Sequence, residues 1–402
     1  MIVLKAAQEK CLRALQAVSG IVERRHTLPI LANVLIRKTG PQIELTTSDL
    51  EIQVRTSAEL NGDAGNFAAT VGARKLIDIL RSMPTDQVVT LTANQNKLTL
   101  QGGKGRFTLQ TLPADDFPLV QEAADFGPVF SVPQKVLKGL INQVHFAMAV
   151  HDIRYYLNGI LFVAEGKSLT LVATDGHRLA LAQAMLETEI PKQQVILPRK
   201  TVLELQRLLR DEKEGDDAPI EMRFAGNQAK FTFSGMEFVT KLVEGKFPDY
   251  NRVIPKNHKN IVTLGRAPLL SSLQRAAILT SEKFKGVRVN IEPGTLRIAS
   301  SNAEQEEAKE ELEIDYSGDT IEIGFNVTYL IDALMNMSQD MVTMELQDTN
   351  SSALRWWCAC GYARDTSPAT PTSRTMFLMS MNSLCVGSYP DRRAEPELAP
   401  TE

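Results

Sequence analysis

Cysteine is scarce in this chain, and its distribution says more than its number. Of 4 cysteines in 402 residues, only Cys11 precedes residue 358. One thiol cannot build a disulfide framework, so the chain up to that point is expected in a reducing compartment, the cytoplasm. Long apolar runs are also missing: none approaches the roughly 20 residues a membrane-spanning helix needs. The opening Met1-Ile2-Val3-Leu4-Lys5 has no secretory h-region and reads as the entry to a helix. Nucleotide-binding signatures are absent, with neither GxxxxGK[ST] nor GxGxxG. There is no HExxH and no paired CxxC. Cys358-x-Cys360 supplies two metal ligands at most, so neither metal nor cofactor is expected. Net charge is mildly acidic, at −4, which taken alone argues weakly against a nucleic-acid partner.

What is present is repetition. "IELTTSDLEIQV" (43–54), "LTLVATDGHRLALA" (169–182) and "LRIASSNAEQEEAKEEL" (296–312) each begin with an alternating strand, pass through a Ser/Thr-rich turn and resume. "VGARKLIDILRSM" (71–83), "LPRKTVLELQRLL" (197–209) and "GFNVTYLIDALMNM" (324–337) each read as a short amphipathic helix. A third set of helices is expected to open the units, over 5–18, 133–144 and 267–279. Corresponding anchors recur about every 126 residues, long enough for each copy to be a domain. The short alternating strands favour antiparallel sheets, and helices packed on them make an α+β fold. The expected domains are 1–125, 126–257 and 258–354, with a tail over 355–402.

Charge is unevenly spread. The first unit's helices carry Lys5, Lys10, Arg13, Arg74, Lys75 and Arg81 against Glu9 and Asp78. The second unit's carry Lys135, Lys138, Arg199, Lys200, Arg207 and Arg210 against Glu204, and the third opens with Arg266, Arg275, Lys283 and Lys285 against Glu282. Cationic helices on an acidic body suit a phosphate backbone, although solvated basic faces are common enough to explain any single helix. "GGKGR" (102–106) lies between two alternating strands and reads as a hairpin turn. In "ATDGHRLA" (173–180), Asp175 and His177 could form an acid–base pair, but no nucleophile elbow accompanies them. A plain turn and a ligand-lining turn remain open. No catalytic constellation emerges, so a binding or structural protein is expected rather than an enzyme.

Several segments then carry a resemblance: "HTLPILANVLI" (26–36), "DIRYYLNGILF" (152–162), "ATDGHRLA", "GKFPDYNRVIP" (245–255), "ILTSEKFKGVRV" (278–289) and "EQEEAKEEL" (304–312). In this order they resemble the bacterial DNA polymerase III β subunit family, the sliding clamps, over about residues 1–354. The resemblance implies three similar domains in a crescent, with two crescents closing head to tail into a homodimeric ring around duplex DNA. It implies a processivity factor in DNA replication, whose tether works by effective concentration. The implied partners are double-stranded DNA without sequence preference, the polymerase III catalytic subunit, the clamp loader, and other DNA polymerases and repair proteins. By position, Arg25, Tyr155, Tyr156 and Lys200 fall where the family contacts DNA, with Arg74 and Arg199 as helpers on charge alone. The implied ring joint sets Lys104, Arg106, Phe107 and Leu109 against Ile278, Leu279, Glu304, Glu306 and Glu307, unless the 304–311 run is merely solvated helix or loop. The implied partner-peptide pocket involves Arg154, Leu157, Thr174, Gly176, His177, Arg178, Leu179, Pro248, Arg252, Val253, Asn326 and Tyr329.

The ending departs from that pattern. The first unit ends on the strand pair "NKLTLQGGKGRFTLQTLP" and the second on "QAKFTFSGMEFVTKLV". The third begins alike with "SSAL" and then becomes "RWWCACGYARDTSP". A last strand therefore looks missing, and the polar, Pro-bearing tail is expected to be disordered. A reading-frame change and a genuine extension both account for it. "MFLMSMNSLCV" (376–386) is its one apolar run, able to replace the strand or to fill the pocket. The alternative function is a clamp-like adaptor with defective partner binding.

Overall fold

The computed structural model describes residues 1–23, 27–210, 219–254, 259–281, 283, 285–346, 353–359 and 373–380. Each of three modules interleaves short helices with antiparallel strands. The first contains β1 (Ile2–Ala7), α1 (Gln8–Val18), β2 (Asn33–Thr39), β3 (Gln42–Ser48), β4 (Ile52–Glu59), β5 (Phe67–Gly72), α2 (Ala73–Arg81), β6 (Val88–Asn94), β7 (Lys97–Gly102) and β8 (Gly105–Leu112). The second contains β9 (Phe130–Pro133), α3 (Gln134–Val144), β10 (Gly159–Thr174), β11 (Arg178–Pro198), α4 (Arg199–Leu208), β12 (Pro219–Phe224), β13 (Gln228–Phe233) and β14 (Met236–Lys241). The third contains β15 (Asn260–Gly265), α5 (Arg266–Ile278), β16 (Gly286–Glu292), β17 (Thr295–Ser301), β18 (Glu307–Glu313), β19 (Ile321–Asn326), α6 (Val327–Met335), β20 (Met341–Leu346) and β21 (Ala353–Ala359). A further strand, β22 (Ser373–Ser380), follows.

The same strand order recurs. Strands β4-β3-β2-β5 of the first module match β18-β17-β16-β19 of the third. In the second module the long β10 and β11 together fill that position, and their ladder shifts register around Gly166. The outer strands run β1-β6-β7-β8, then β9-β12-β13-β14, then β15-β20-β21. Helical spacing in the sequence becomes burial: Leu76, Ile77 and Leu80 of α2, Leu137, Leu140, Ile141 and Val144 of α3, and Val202 and Leu205 of α4 are all core residues. Among the described residues, five of the six α-helices follow directly from a strand without a side-chain cap, whereas α6 is capped by Asn326, which accepts from the Thr328 N–H.

The chain divides into two compact units. The first is Met1–Asn251 with Ala359–Phe377; the second is Arg252–Cys358 with the remainder. In the first unit, twelve strands form one sheet through both modules, joined where β4 pairs with β14. At that seam Arg55 on β4 meets Glu237 on β14 at 2.7 Å, directly across the ladder, and also reaches Glu122 at 3.1 Å. Lys230 adds contacts to Glu122 at 2.9 Å and Glu237 at 3.6 Å. The helices are stapled as well. The Arg207 guanidinium donates to the carbonyls of Gln16 and Ala17, both at 3.2 Å, satisfying carbonyls that the end of α1 leaves open. Gly20 leaves no room for a Cβ against the Glu204 carboxylate, which in turn holds Arg207.

One expectation needs correcting. The N-terminal helix was expected from residue 5, but Ile2–Ala7 forms a strand, held extended by its pairing with β6. The segment after the turn in 296–312 resumes as a strand, as its repeat pattern implies, and not as the solvated helix or loop that was the alternative: Glu307–Glu313 forms β18, paired along its length with β17. Two stretches of the expected tail region are strands: β21 pairs with β20 through Arg355, Trp356 and Trp357, and β22 covers Ser373–Ser380. Residues 360–372 lie outside the described residues. The Asp216-Asp217 pair, Cys360 and residues 381–402 lie outside the described residues.

Candidate nucleic-acid interface and peptide site

The cationic helices of the first unit border an open cleft of ≈ 1140 Å³, lined among others by Arg74, Lys75, Arg81, Arg207 and Glu23. Its basic groups are not equivalent. Lys75 and Arg81 are exposed, while Arg74 also donates to the Val22 carbonyl at 2.7 Å. Lys200, at the start of α4, pairs with Glu23 at 2.7 Å and also with the carboxylate of Asp49. Burial pulls the Lys200 ammonium down, but the hydrogen bonds it donates to Asp49 and Glu23 outweigh it, so its pKa is raised. Asp49 is itself fixed by the N–H groups of Glu51 and Ile52, at 3.0 and 2.7 Å. Arg199 is half-buried, and burial first, then the charge of Arg178, lowers its pKa. That neighbour associates Arg199 with the 174–179 turn, which the sequence does not reveal. Arg25 lies outside the described residues.

In the third module two cations expected on a basic surface have structural partners. Arg275 grips Glu310 of β18 with two bonds, at 2.8 and 2.5 Å, lowering the Glu310 pKa. Arg266 donates to the carbonyls of Gln339 and Leu334, at 2.8 and 3.2 Å. The cationic reading therefore rests on the first two modules.

The turn after β10 is tightly specified. The Asp175 carboxylate accepts from the N–H groups of His177 and Arg178, at 2.9 and 3.0 Å, and from the Arg178 Nε at 3.1 Å. The Thr174 hydroxyl donates to the Arg178 carbonyl at 2.6 Å and accepts from the Gly176 N–H at 3.1 Å. Gly176 has φ +90°, and a Cβ there would come within 3.0 Å of the Arg154 guanidinium. Arg154 bridges Asp152, at 2.9 and 2.8 Å, and the Asp175 carbonyl at 3.3 Å. Of the three readings of "ATDGHRLA", the acid–base pair fails here, because the bonds to Asp175 come from backbone N–H groups and Arg178 while the His177 side chain is exposed. Leu157 and Leu179 are buried beside this turn's strands. Arg178 continues to Phe146, donating to its carbonyl at 2.8 Å and lying 5.3 Å from its ring centre. Tyr155 is exposed and meets Tyr156 edge-on, with ring centres 5.9 Å apart.

The remaining predicted residues are distributed as follows. Pro248 is an exposed residue of the first unit. In the second unit, Arg252 and Val253 are exposed, and Asn326 and Tyr329 lie at the start of α6, half-buried. Lys104, Arg106 and Phe107 are exposed on or beside β8, with Leu109 half-buried. Strand β8 pairs fully with β7 but meets β5 only at Leu112 and Thr111, so most of its other edge is open. Strand β18 is the terminal strand of its sheet, with Glu304, Glu306 and Glu307 exposed at its start. Ile278 is 76% exposed and Leu279 half-buried.

Three-fold α+β repetition with antiparallel sheets crossing a module seam defines the DNA clamp fold. The chain belongs to the DNA polymerase III β subunit family: its N-terminal domain matches over 3–121, its central domain over 131–249 and its C-terminal domain over 251–355. It is 44% identical over 353 residues to the beta sliding clamp of Pseudomonas aeruginosa, covering 86% of this chain and 94% of that protein. To the beta sliding clamp of Escherichia coli it is 41% identical over 345 residues, covering 86% and 93%. Among solved structures it is similar to the Pseudomonas aeruginosa sliding clamp (DNA polymerase III subunit beta) bound to griselimycin. The TM-score there is 0.85, at 40% identity, over 94% of this chain and 98% of that one. The Caulobacter crescentus beta sliding clamp matches with TM-score 0.82 at 31% identity, over 94% and 98%.

Proposed function

We propose that this protein is a sliding clamp for DNA polymerase III: it encircles duplex DNA as a head-to-tail ring of two copies and tethers the replicative polymerase. It catalyses no reaction. The observation that carries this reading is the seam rule of the first unit, where the β4 edge of one module pairs with the closing strand β14 of the next. Applied to a second copy, the same rule joins β18 to β8. The charges suit such a joint: Glu304, Glu306 and Glu307 would face Lys104 and Arg106, as Arg55 faces Glu237 at the internal seam. Phe107, Leu109, Ile278 and Leu279 would form its apolar centre.

DNA would be met without sequence preference by Arg74, Tyr155, Tyr156, Arg199, Lys200 and Arg25, with Lys75 and Arg81 in the same cleft. Short apolar peptides of the polymerase, the clamp loader and repair proteins would dock on the turn set by Arg154, Leu157, Thr174, Gly176, His177, Arg178, Leu179 and Pro248. Arg252, Val253, Asn326 and Tyr329 would contribute from the third module. Action on chromosomal DNA implies the cytoplasm; no described helix is long and apolar enough to cross a membrane. Nothing in the family comparisons favours an adaptor with a defective partner site.

The test is topological. Protein loaded on a nicked circular duplex by the clamp loader should co-elute with it and be released when one cut linearises the DNA. Equal retention on linear and circular DNA would overturn the reading, and a native mass measurement finding only monomers at micromolar concentration would remove the ring.

A further inference from the structure

Strand β18 ends its sheet, and Glu307, Glu310, Glu311 and Glu313 are four of its seven residues. Carboxylates this close repel one another, so the strand depends on cations to stay in place. Its two faces are held differently. On the exposed face, Lys309 pairs with Glu307 at 3.0 Å, and Arg297 of the adjacent β17 takes Glu311 at 3.0 Å and Glu292 at 2.8 Å. On the other face Ala308, Glu310 and Leu312 are half-buried, and the hold on Glu310 comes from a helix. Arg275 of α5 donates to both Glu310 carboxylate oxygens, at 2.8 and 2.5 Å, and to the Ser272 hydroxyl at 3.1 Å. A second tie lies beside it, where the Ser300 hydroxyl of β17 donates to the Ala276 carbonyl of α5 at 2.7 Å. Arg275 stands one helical turn before Ile278, the exposed apolar residue that ends α5.

We propose that Arg275 is a positioning residue for the joint between two copies: by clamping β18 onto α5 it holds the acidic edge and the apolar anchor Ile278 in one fixed arrangement, so that both meet the second copy together. This role presupposes the head-to-tail ring proposed above. A guanidinium bonded to both oxygens of a carboxylate fixes orientation as well as distance. Without it the edge strand can shift against the helix end, and ordering the two becomes an added cost of association. Arg275 thus serves the ring from the helix side, through Glu310, without itself belonging to the edge that pairs.

Subunit exchange of the full chain tests it. Two populations carrying donor and acceptor dyes are mixed, and energy transfer grows as dimers part and re-form. Arg275→Met should speed this exchange about fivefold, the upper range for a partly exposed ion pair. Arg275→Lys should speed it less, because it keeps the charge and loses only the fork. Backbone amides within 307–313 should exchange hydrogen about fivefold faster in Arg275→Met. The swap of Arg275→Glu with Glu310→Arg should bring subunit exchange back toward the original rate. Arg266→Met, which frees the other end of α5 from the Gln339 and Leu334 carbonyls, should leave it unchanged. A dimer that exchanges equally fast with and without Arg275, or that Arg266→Met accelerates as much, would overturn the positioning role alone. Monomers only in the unaltered protein would overturn the ring, and this role with it.

Discussion

Replacing Glu23 by glutamine should tighten the grip on duplex DNA, against the usual expectation for a charged residue bordering a binding cleft. The DNA-free protein holds the Lys200 ammonium between two carboxylates of different standing. Asp49 is buried, with 6% of its side chain exposed, and locked by two backbone N–H groups; Glu23 is half-exposed, at 51%. A phosphate approaching Lys200 therefore displaces Glu23 and leaves Asp49 in place. Exposed lysine–carboxylate pairs contribute about 0–1 kcal/mol, so Glu23 opposes a phosphate by at most about fivefold. Releasing Lys200 adds up to one phosphate contact, and the slope of log affinity against log salt should steepen by up to about 0.9. Between about 50 and 200 mM salt that slope amounts to an extra factor of about 3.5. Fluorescence anisotropy on a labelled duplex across that range reads both quantities. Lys200→Ala should flatten the slope by a similar amount, and the Glu23→Gln, Lys200→Ala double variant should behave like Lys200→Ala alone. If Glu23→Gln leaves affinity and slope unchanged while Lys200→Ala weakens binding, Glu23 is no competitor. If Lys200→Ala leaves the slope unchanged, Lys200 does not meet phosphate.

Three other outcomes follow from the geometry. Arg55→Met removes the centre of the β4–β14 charge network and leaves Glu122 and Glu237 dependent on Lys230 alone; urea unfolding of the first unit should show a loss of about 1–3 kcal/mol. Gly20→Ala drives a methyl into the Glu204 carboxylate at the α1–α4 staple and should cost about 1–3 kcal/mol, seen as a lower Tm in calorimetry. The side-chain and then the backbone hydrogen bonds from Arg154 lower Asp152 from 3.8 to about 2. A depressed carboxyl stabilises the fold above its unfolded pKa and loses that effect as pH falls through the folded one, so the 152–158 segment should loosen between about pH 4 and 2. Carboxyl NMR titration should show Asp152 returning toward its ordinary value in Arg154→Ala.

Much of this arrangement is legible in the amino-acid pattern, and the exceptions share a cause. Helices with apolar residues at helical spacing, such as Leu76, Ile77 and Leu80, are found because their periodicity is local. The hairpin at Gly102–Arg106 is found because glycine and alternation coincide. The strand Ile2–Ala7 is missed because six residues before a helix extend its apolar pattern, and only pairing with β6 makes them extended. Strand β18 is legible from the repeat, in which the strand resumes after the turn, although its exposed glutamates also resemble a solvated run; charges of this kind are how an edge strand avoids unwanted pairing. Individual cations mislead for another reason. Lys200, Arg207, Arg266 and Arg275 look alike in sequence, but partners distant in the chain decide which of them face solvent and which tie elements together. The turn at Thr174–Leu179 is visible as a motif, whereas its dependence on Phe146 is tertiary and leaves no local signal.

Edge strands supply the physical reason for a closed assembly. A module of this topology has a β4-type edge at one end and a closing strand at the other, and each is a row of unpaired donors and acceptors. The first unit satisfies one such pair internally at β4–β14, with Arg55 and Glu237 setting its register. Two other edges carry opposite charge: β8 of the first module, open along most of one side, is flanked by lysine and arginine, and β18 of the third by glutamates. Like charges repel a second copy of the same edge and opposite charges favour the other, so β8 against β8 and β18 against β18 are both disfavoured. On the proposed function, head-to-tail pairing of two copies would cover both of these edges. A ring is then the form in which a repeat built from open-ended sheets avoids open-ended association. Encircling DNA needs nothing further except cations on its inner face and an opening wide enough for the duplex.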